Sequence, residues 1–255
     1  MTALRRPVLA GNWKMHKGPT ETRAFFEAFL AAYEAREDRT VVFFPPAISV
    51  EAARQAVAGR GDVALGVQDV YWERQGAFTG QVSAPMAADA GAEFILVGHS
   101  ERRHVFGETG EDTARKVRAA LDAGLRPVLC VGETIEERRA GRAEATVREQ
   151  LDAVLPGLSA GDAASLLVAY EPVWAIGTGE TATPQDASSM HAEVRARLRE
   201  AFGGEAAAAV PILYGGSVKP ENARELLSAP EVDGVLVGGA SLDPAGFAAV
   251  CTATP

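Results

Sequence analysis

The chain has 255 residues, 47% of them hydrophobic, and a formal net charge of −9 at pH 7. That length can bury a large core, as two small domains or one large α/β barrel, and the acidity argues against nucleic acid and anionic membrane surfaces as partners. There is no run of about 18 apolar residues to span a membrane, and the first residues lack the apolar segment and cleavage pattern of a signal peptide.

Eight short apolar runs recur along the chain, each ending in glycine or a polar residue. They begin at Pro7, Thr40, Asp62, Glu93, Arg126, Ser165, Val210 and Val232. Their hydrophobicity is continuous rather than alternating, as in parallel strands covered on both faces. The segments between them read as helices. Residues 20–36 place Phe25, Phe29 and Ala32 on one face. Residues 110–124 open with acidic residues and a threonine and stop at Gly124. A third helix has Thr183 as its N-cap, Pro184 at its first position and Gly203 as its terminator. Eight strand-then-helix units over 1–255 predict a single-domain (β/α)8 TIM barrel. A doubly wound open sheet is the second choice, weakened because no G-x-G-x-x-G follows the first strand.

Cys130 and Cys251 are the only cysteines, and neither has metal-ligand spacing. We expect buried, unpaired thiols, no metal site and a cytoplasmic setting.

A barrel of this kind carries its chemistry at the C-terminal ends of the strands. The first run ends in Asn12-Trp13-Lys14 and the fourth in Gly98-His99-Ser100-Glu101. The sixth ends in Glu171, the seventh in Gly215-Gly216-Ser217 and the eighth in Gly238-Gly239. One cation, one imidazole, one carboxylate and two glycine-rich loops thus share a rim. Backbone N–H groups approach an anion closely where no side chain intervenes, so the glycines suit phosphate. After Glu171, Pro172-Val173-Trp174 reads as a stiff junction, Ala175-Ile176-Gly177 as an apolar tip and Thr178-Gly179-Glu180 as a second junction, together a lid. His16, His104 and His191 read as structural, the three tryptophans as packing residues, and residues 136–144 as a solvated helical face.

The segments "GNWKM", "VGHSERR", "LCVGE", "AYEPVWAIGTG", "ILYGGSV" and "LVGGASL" resemble, in order and over nearly the whole chain, those of the triosephosphate isomerase family. The resemblance implies interconversion of dihydroxyacetone phosphate and glyceraldehyde 3-phosphate through an enediol(ate), in glycolysis and gluconeogenesis, with no cofactor. It casts Glu171 as the base, His99 as a neutral imidazole polarising the carbonyl, and Lys14 as the charge that offsets the anion. Asn12 would orient the oxygen, and Glu101 would pair near Lys14. Gly177, Ser217, Gly238 and Gly239 would hold the phosphate. It also implies a homodimer, in which the third loop reaches into a neighbouring subunit with Thr79 at its tip. Two residues depart from the family pattern: Gln81 where glutamate is common, and Asp69 where asparagine is common.

Two other readings compete. A Schiff-base aldolase needs a lysine within a central strand, and no strand interior contains one. A non-catalytic phosphate-binding barrel would be expected to lack one of Lys14, His99 or Glu171, and all three are present.

Overall fold

The computed structural model describes residues 4–176 and 182–253. Eight parallel strands follow one another around a closed barrel. They are β1 (Val8–Asn12), β2 (Thr40–Phe44), β3 (Val63–Val67), β4 (Phe94–Val97), β5 (Arg126–Val131), β6 (Leu167–Tyr170), β7 (Ile212–Tyr214) and β8 (Gly234–Val237). Val8 pairs with Thr40 on one side and Gly234 on the other, which closes the sheet. The (β/α)8 expectation is met, and the open sheet is not.

Closure explains the continuous apolar runs. Val8, Ala10, Val42, Phe44, Phe94, Leu96, Val128 and Leu213 belong to a cluster that fills the barrel. Leu9, Val41, Phe43, Ile95, Leu129 and Ile212 point outward, into a second core beneath the helices. Successive side chains alternate across a strand, but here both faces are dry. Gly66 is the concession to packing. A Cβ there would come within 2.3 Å of the Phe44 ring, which takes that space instead.

The helices hold to their sequence signals with one exception. Thr183 caps the helix Pro184–Phe202, and Gly203 ends it with a φ of 84°. Thr109 caps Gly110–Asp122, and Gly124 follows at a φ of 75°. In the helix Pro19–Ala32 the buried stripe is Thr22, Phe25, Phe26 and Phe29, and it continues into Tyr33. Ala32 is exposed, contrary to expectation. Tyr33 lies four residues beyond Phe29 and stacks on its ring at 5.2 Å, so it takes the place on the face that Ala32 was expected to fill. Residues 136–144 are two helices, Ile135–Arg139 and Ala143–Asp152. Among the described residues, no helix is long and apolar enough to cross a membrane.

His191 is fully buried on the long helix Pro184–Phe202. Its Nδ1 donates to the Glu231 carbonyl at 2.8 Å, and its Nε2 has no partner among the described residues. Burial pushes its pKa down to about 4 from 6.5. The unfolded chain therefore takes up a proton near pH 6.5 while the folded chain stays neutral. Stability from this group is complete above pH 6.5 and is lost as pH falls toward 4. Against a His191→Gln reference, we expect the native protein to lose about 2–3 kcal/mol between pH 7 and pH 4.5 in urea titrations. A difference independent of pH would show that this histidine does not carry the acid sensitivity.

Candidate active site

The strand ends meet at a cavity of about 560 Å³ whose wall includes Asn12, Lys14, His99, Glu171, Ser217, Gly238 and Gly239. Glu101 lines an adjoining hollow of about 380 Å³ that shares Asn12, Lys14 and His99 with the first. Gly177 and the second junction, Thr178-Gly179-Glu180, lie outside the described residues.

Lys14 is placed by its backbone. Trp13 is fully buried against Phe25 and Phe43, so the residues on either side of it are pinned. Lys14 itself has a φ of 52°, a left-handed conformation that a lysine adopts only when its surroundings enforce it. Its N–H donates to Asn12 Oδ1 at 3.0 Å, and its carbonyl accepts from Gln68 Nε2 at 2.7 Å. The ammonium then reaches Glu101 Oε1 at 2.7 Å. A Cβ built on Gly238 would lie 3.9 Å from Lys14 Nζ, so the cation borders the glycine loop after β8.

His99 caps the helix Ser100–Phe106, and its Nδ1 accepts the Glu101 N–H at 3.2 Å. An accepting Nδ1 carries no proton, so the ring is a neutral imidazole with its hydrogen on Nε2. That Nε2 lies 3.1 Å from Glu171 Oε1. The other carboxylate oxygen, Oε2, accepts the Ser100 N–H at 3.0 Å. Glu171 is only 2% exposed, yet both its oxygens are engaged by donors. Behind it, Cys130 is buried, which pushes its thiol well above the ordinary range.

The structure adds residues that the sequence reading passed over. Glu133, two residues beyond β5, is fully buried. Its Oε1 accepts from Tyr170 Oη at 3.1 Å and from Trp174 Nε1 at 2.9 Å, and Arg138 Nη1 approaches it at 3.4 Å. Trp174 is thus tethered at the first junction after Glu171, not merely packed. Arg138 is not merely a solvated charge either. It stacks 4.7 Å from the Trp174 ring and pairs with Asp186 at 2.6 Å. The signal for Glu133 was a carboxylate closing an apolar run, the same signal that singled out Glu171. His16 and Lys219 also line the main cavity, so His16, expected to be structural, belongs to the site wall. Residue type alone carries no signal for that placement of His16.

Asp69 and Gln81 both face the adjoining hollow. Asp69 accepts from Lys116 at 2.6 Å and from Arg102 at 3.0 Å. Glu108 binds the same two cations, at 2.6 and 2.7 Å. Burial pushes the Asp69 carboxyl up, against the pull of these neighbours.

The family model described as Triosephosphate isomerase matches residues 7–254. A triosephosphate isomerase from Solibacter usitatus (strain Ellin6076) is 50% identical over 97% of this chain and 99% of its own length. One from Symbiobacterium thermophilum is 51% identical over 98% of this chain and 97% of its own. One from Roseiflexus sp. (strain RS-1) is 50% identical, covering 96% of each. With matches of this identity spanning the barrel from before β1 to beyond β8, the chain belongs to the triosephosphate isomerase family.

Proposed function

We propose that the chain interconverts dihydroxyacetone phosphate and D-glyceraldehyde 3-phosphate, with Glu171 and His99 as the proton-handling pair. The observation that carries this reading is the 3.1 Å approach of a neutral imidazole N–H to a buried carboxylate in one cavity. Abstracting a proton beside a carbonyl requires a base within reach of the carbon and a donor aimed at the oxygen. A carbonyl oxygen in the cavity competes with Glu171 for the His99 Nε2 proton. That exchange frees a carboxylate oxygen to take the carbon-bound proton, while Nε2–H stabilises the enediolate. Asn12 spends its Oδ1 on the Lys14 N–H, so its amide donor is what it offers the same oxygen. Lys14, buttressed by Glu101, offsets the charge of phosphate and enediolate.

The phosphate lies against Ser217, Gly238 and Gly239, where backbone donors and the Lys14 ammonium are adjacent. Because the phosphate is remote from the reacting carbons, its binding energy is available for positioning. Proton transfer between two carbons of one substrate calls for no redox partner and no cofactor. The protein works in the cytoplasm, where glycolysis and gluconeogenesis supply both substrates and its two buried thiols stay unpaired.

The active form is a homodimer. Met15 and Phe106, 94% and 69% exposed, line the adjoining hollow, an apolar rim unusual for a free surface. Thr79 stands on an exposed loop beside it, bridged at its base by Tyr71 and Ser83. The loop of a second copy fills the hollow next to Lys14 and His99.

A coupled assay for glyceraldehyde 3-phosphate isomerisation tests the activity directly. With Glu171→Asp, which withdraws the carboxylate by one carbon, we expect kcat to fall about a hundredfold with little change in KM. Parent-like turnover by this variant would remove Glu171 from the role of base. Gly215→Ala would set a Cβ 2.8 Å from Glu171 Cγ. We expect kcat to drop on the order of tenfold or more with the barrel still folded, so an undiminished kcat would show that the carboxylate's placement is not limiting. Thr79→Arg is expected to sediment as monomers with most activity lost. A fully active parent monomer would refute the dimer requirement.

A further inference from the structure

The turn that presents His99 is held from behind by a side chain with no assigned part in the reaction. Gly98 follows β4 directly with a φ of 72°, and both its backbone groups are taken by side chains. Its N–H donates to Glu108 Oε1 at 2.9 Å, and its carbonyl accepts from Arg103 Nε at 2.7 Å. The guanidinium occupies the space a side chain would need, because a Cβ on Gly98 would sit 2.4 Å from Arg103 Nη2.

Arg103 makes a second backbone contact, on the neighbouring strand. Its Nη2 donates to the Cys130 carbonyl at 3.1 Å, at the end of β5. One residue further along β5, the Val131 carbonyl accepts the Glu171 N–H at 2.7 Å. A single guanidinium therefore bridges the backbone that carries His99 and the backbone on which Glu171 rests. Arg102, next to it, pairs with Asp69 and Glu108. Arg103 has no acidic partner among the described residues and is spent on two carbonyls. An ion pair would explain an arginine near a strand end, whereas a fork across two strands points to spacing.

We infer that Arg103 is a positioning residue for the isomerisation, setting the separation of His99 and Glu171 by strapping the end of β4 to the end of β5. It touches neither substrate nor the reacting side chains. It acts through the Gly98 peptide on one side and the Cys130–Val131 segment on the other. Arginine suits the task because its planar fork offers donors in two fixed directions, whereas an ammonium can hold one carbonyl well and the other poorly. Burial pulls the Arg103 pKa down, while Cys130, Glu108 and Glu171 oppose the shift. The phosphate loops follow β7 and β8, on strands that Arg103 does not touch. The consequence is selective: the acid–base pair loosens while the anion site stands.

The inference rests on the isomerase reading, and the experiment separates the two. Arg103→Met and Arg103→Lys are compared with the parent for kcat, KM, inorganic phosphate affinity and the 15N resonances of the His99 ring. For Arg103→Met we expect kcat to fall on the order of a hundredfold, with KM and phosphate affinity within about threefold of the parent, and a shifted His99 resonance. Arg103→Lys should recover part of both the rate and the resonance, and it serves alone if the methionine variant does not fold. Folded variants with parental kcat and parental His99 resonances would overturn the inference, leaving Arg103 as a staple of the fold only. A fall in kcat matched by an equal fall in phosphate affinity would also overturn it, because the whole rim would have moved. If the parent itself does not isomerise triose phosphates, the isomerase reading fails, while the His99 resonances still report whether Arg103 places that ring.

Discussion

His99 and Glu171 stand on strands that are not neighbours. β5 lies between β4 and β6, so their backbones are about 10 Å apart, two strand spacings. The 3.1 Å contact between the two side chains is therefore a product of curvature. Closing the sheet curves it around the barrel axis, so that inward-pointing side chains from alternate strands converge. β5 has to yield at this point. It is followed at once by Gly132, where a Cβ would lie 1.7 Å from the Glu171 carbonyl oxygen. The strand between these two side chains thus gives way to a residue with no side chain, and Glu133 beyond it turns away to hold Tyr170 and Trp174.

Charge is distributed to the same end. The chain carries −9 overall, and its four lysines are each placed. Lys17 lies over the rings of Trp13 and Phe25, at 5.8 and 5.1 Å. Lys116 is buried between Asp69 and Glu108. Lys14 and Lys219 both line the main cavity, where Glu171 is the only carboxylate in the wall among the described residues. An acidic protein can bind a small anion because the potential that matters is local, set by two ammonium groups and the backbone beside Gly238 rather than by net charge. The ion network of Asp69, Lys116, Glu108 and Arg102 is balanced and adds no net field. It anchors the turn that leads into His99 by way of the Gly98 N–H.

Legibility followed residue type. The strands were readable because dry faces on both sides demand unbroken apolar runs, and the caps Thr183 and Gly203 because only certain residues satisfy a helix terminus. Ala32 was misplaced because small side chains signal a face weakly, and Tyr33 won the position by burying a larger surface. Glu133 was within reach of the strand-end rule that found Glu171. Ser100 was not, because it acts through a backbone N–H that every residue but proline possesses. Arg103 carries no sequence signal of its fork onto Gly98 and Cys130, because Cys130 lies 27 residues away on another strand.

The amino-acid sequence alone determined the eightfold repeat, the membership of a barrel, and the set of Asn12, Lys14, His99 and Glu171 at strand ends, since periodicity and strand-terminal residues are local properties of a chain. Only the tertiary structure decided that His99 donates from Nε2, that Glu171 accepts from both His99 and the Ser100 N–H, and that Trp174 is tied to Glu133. Each of these is a hydrogen bond between segments distant in sequence or a choice of tautomer imposed by a backbone N–H. Such pairings are set by barrel curvature and helix placement, which no single segment encodes.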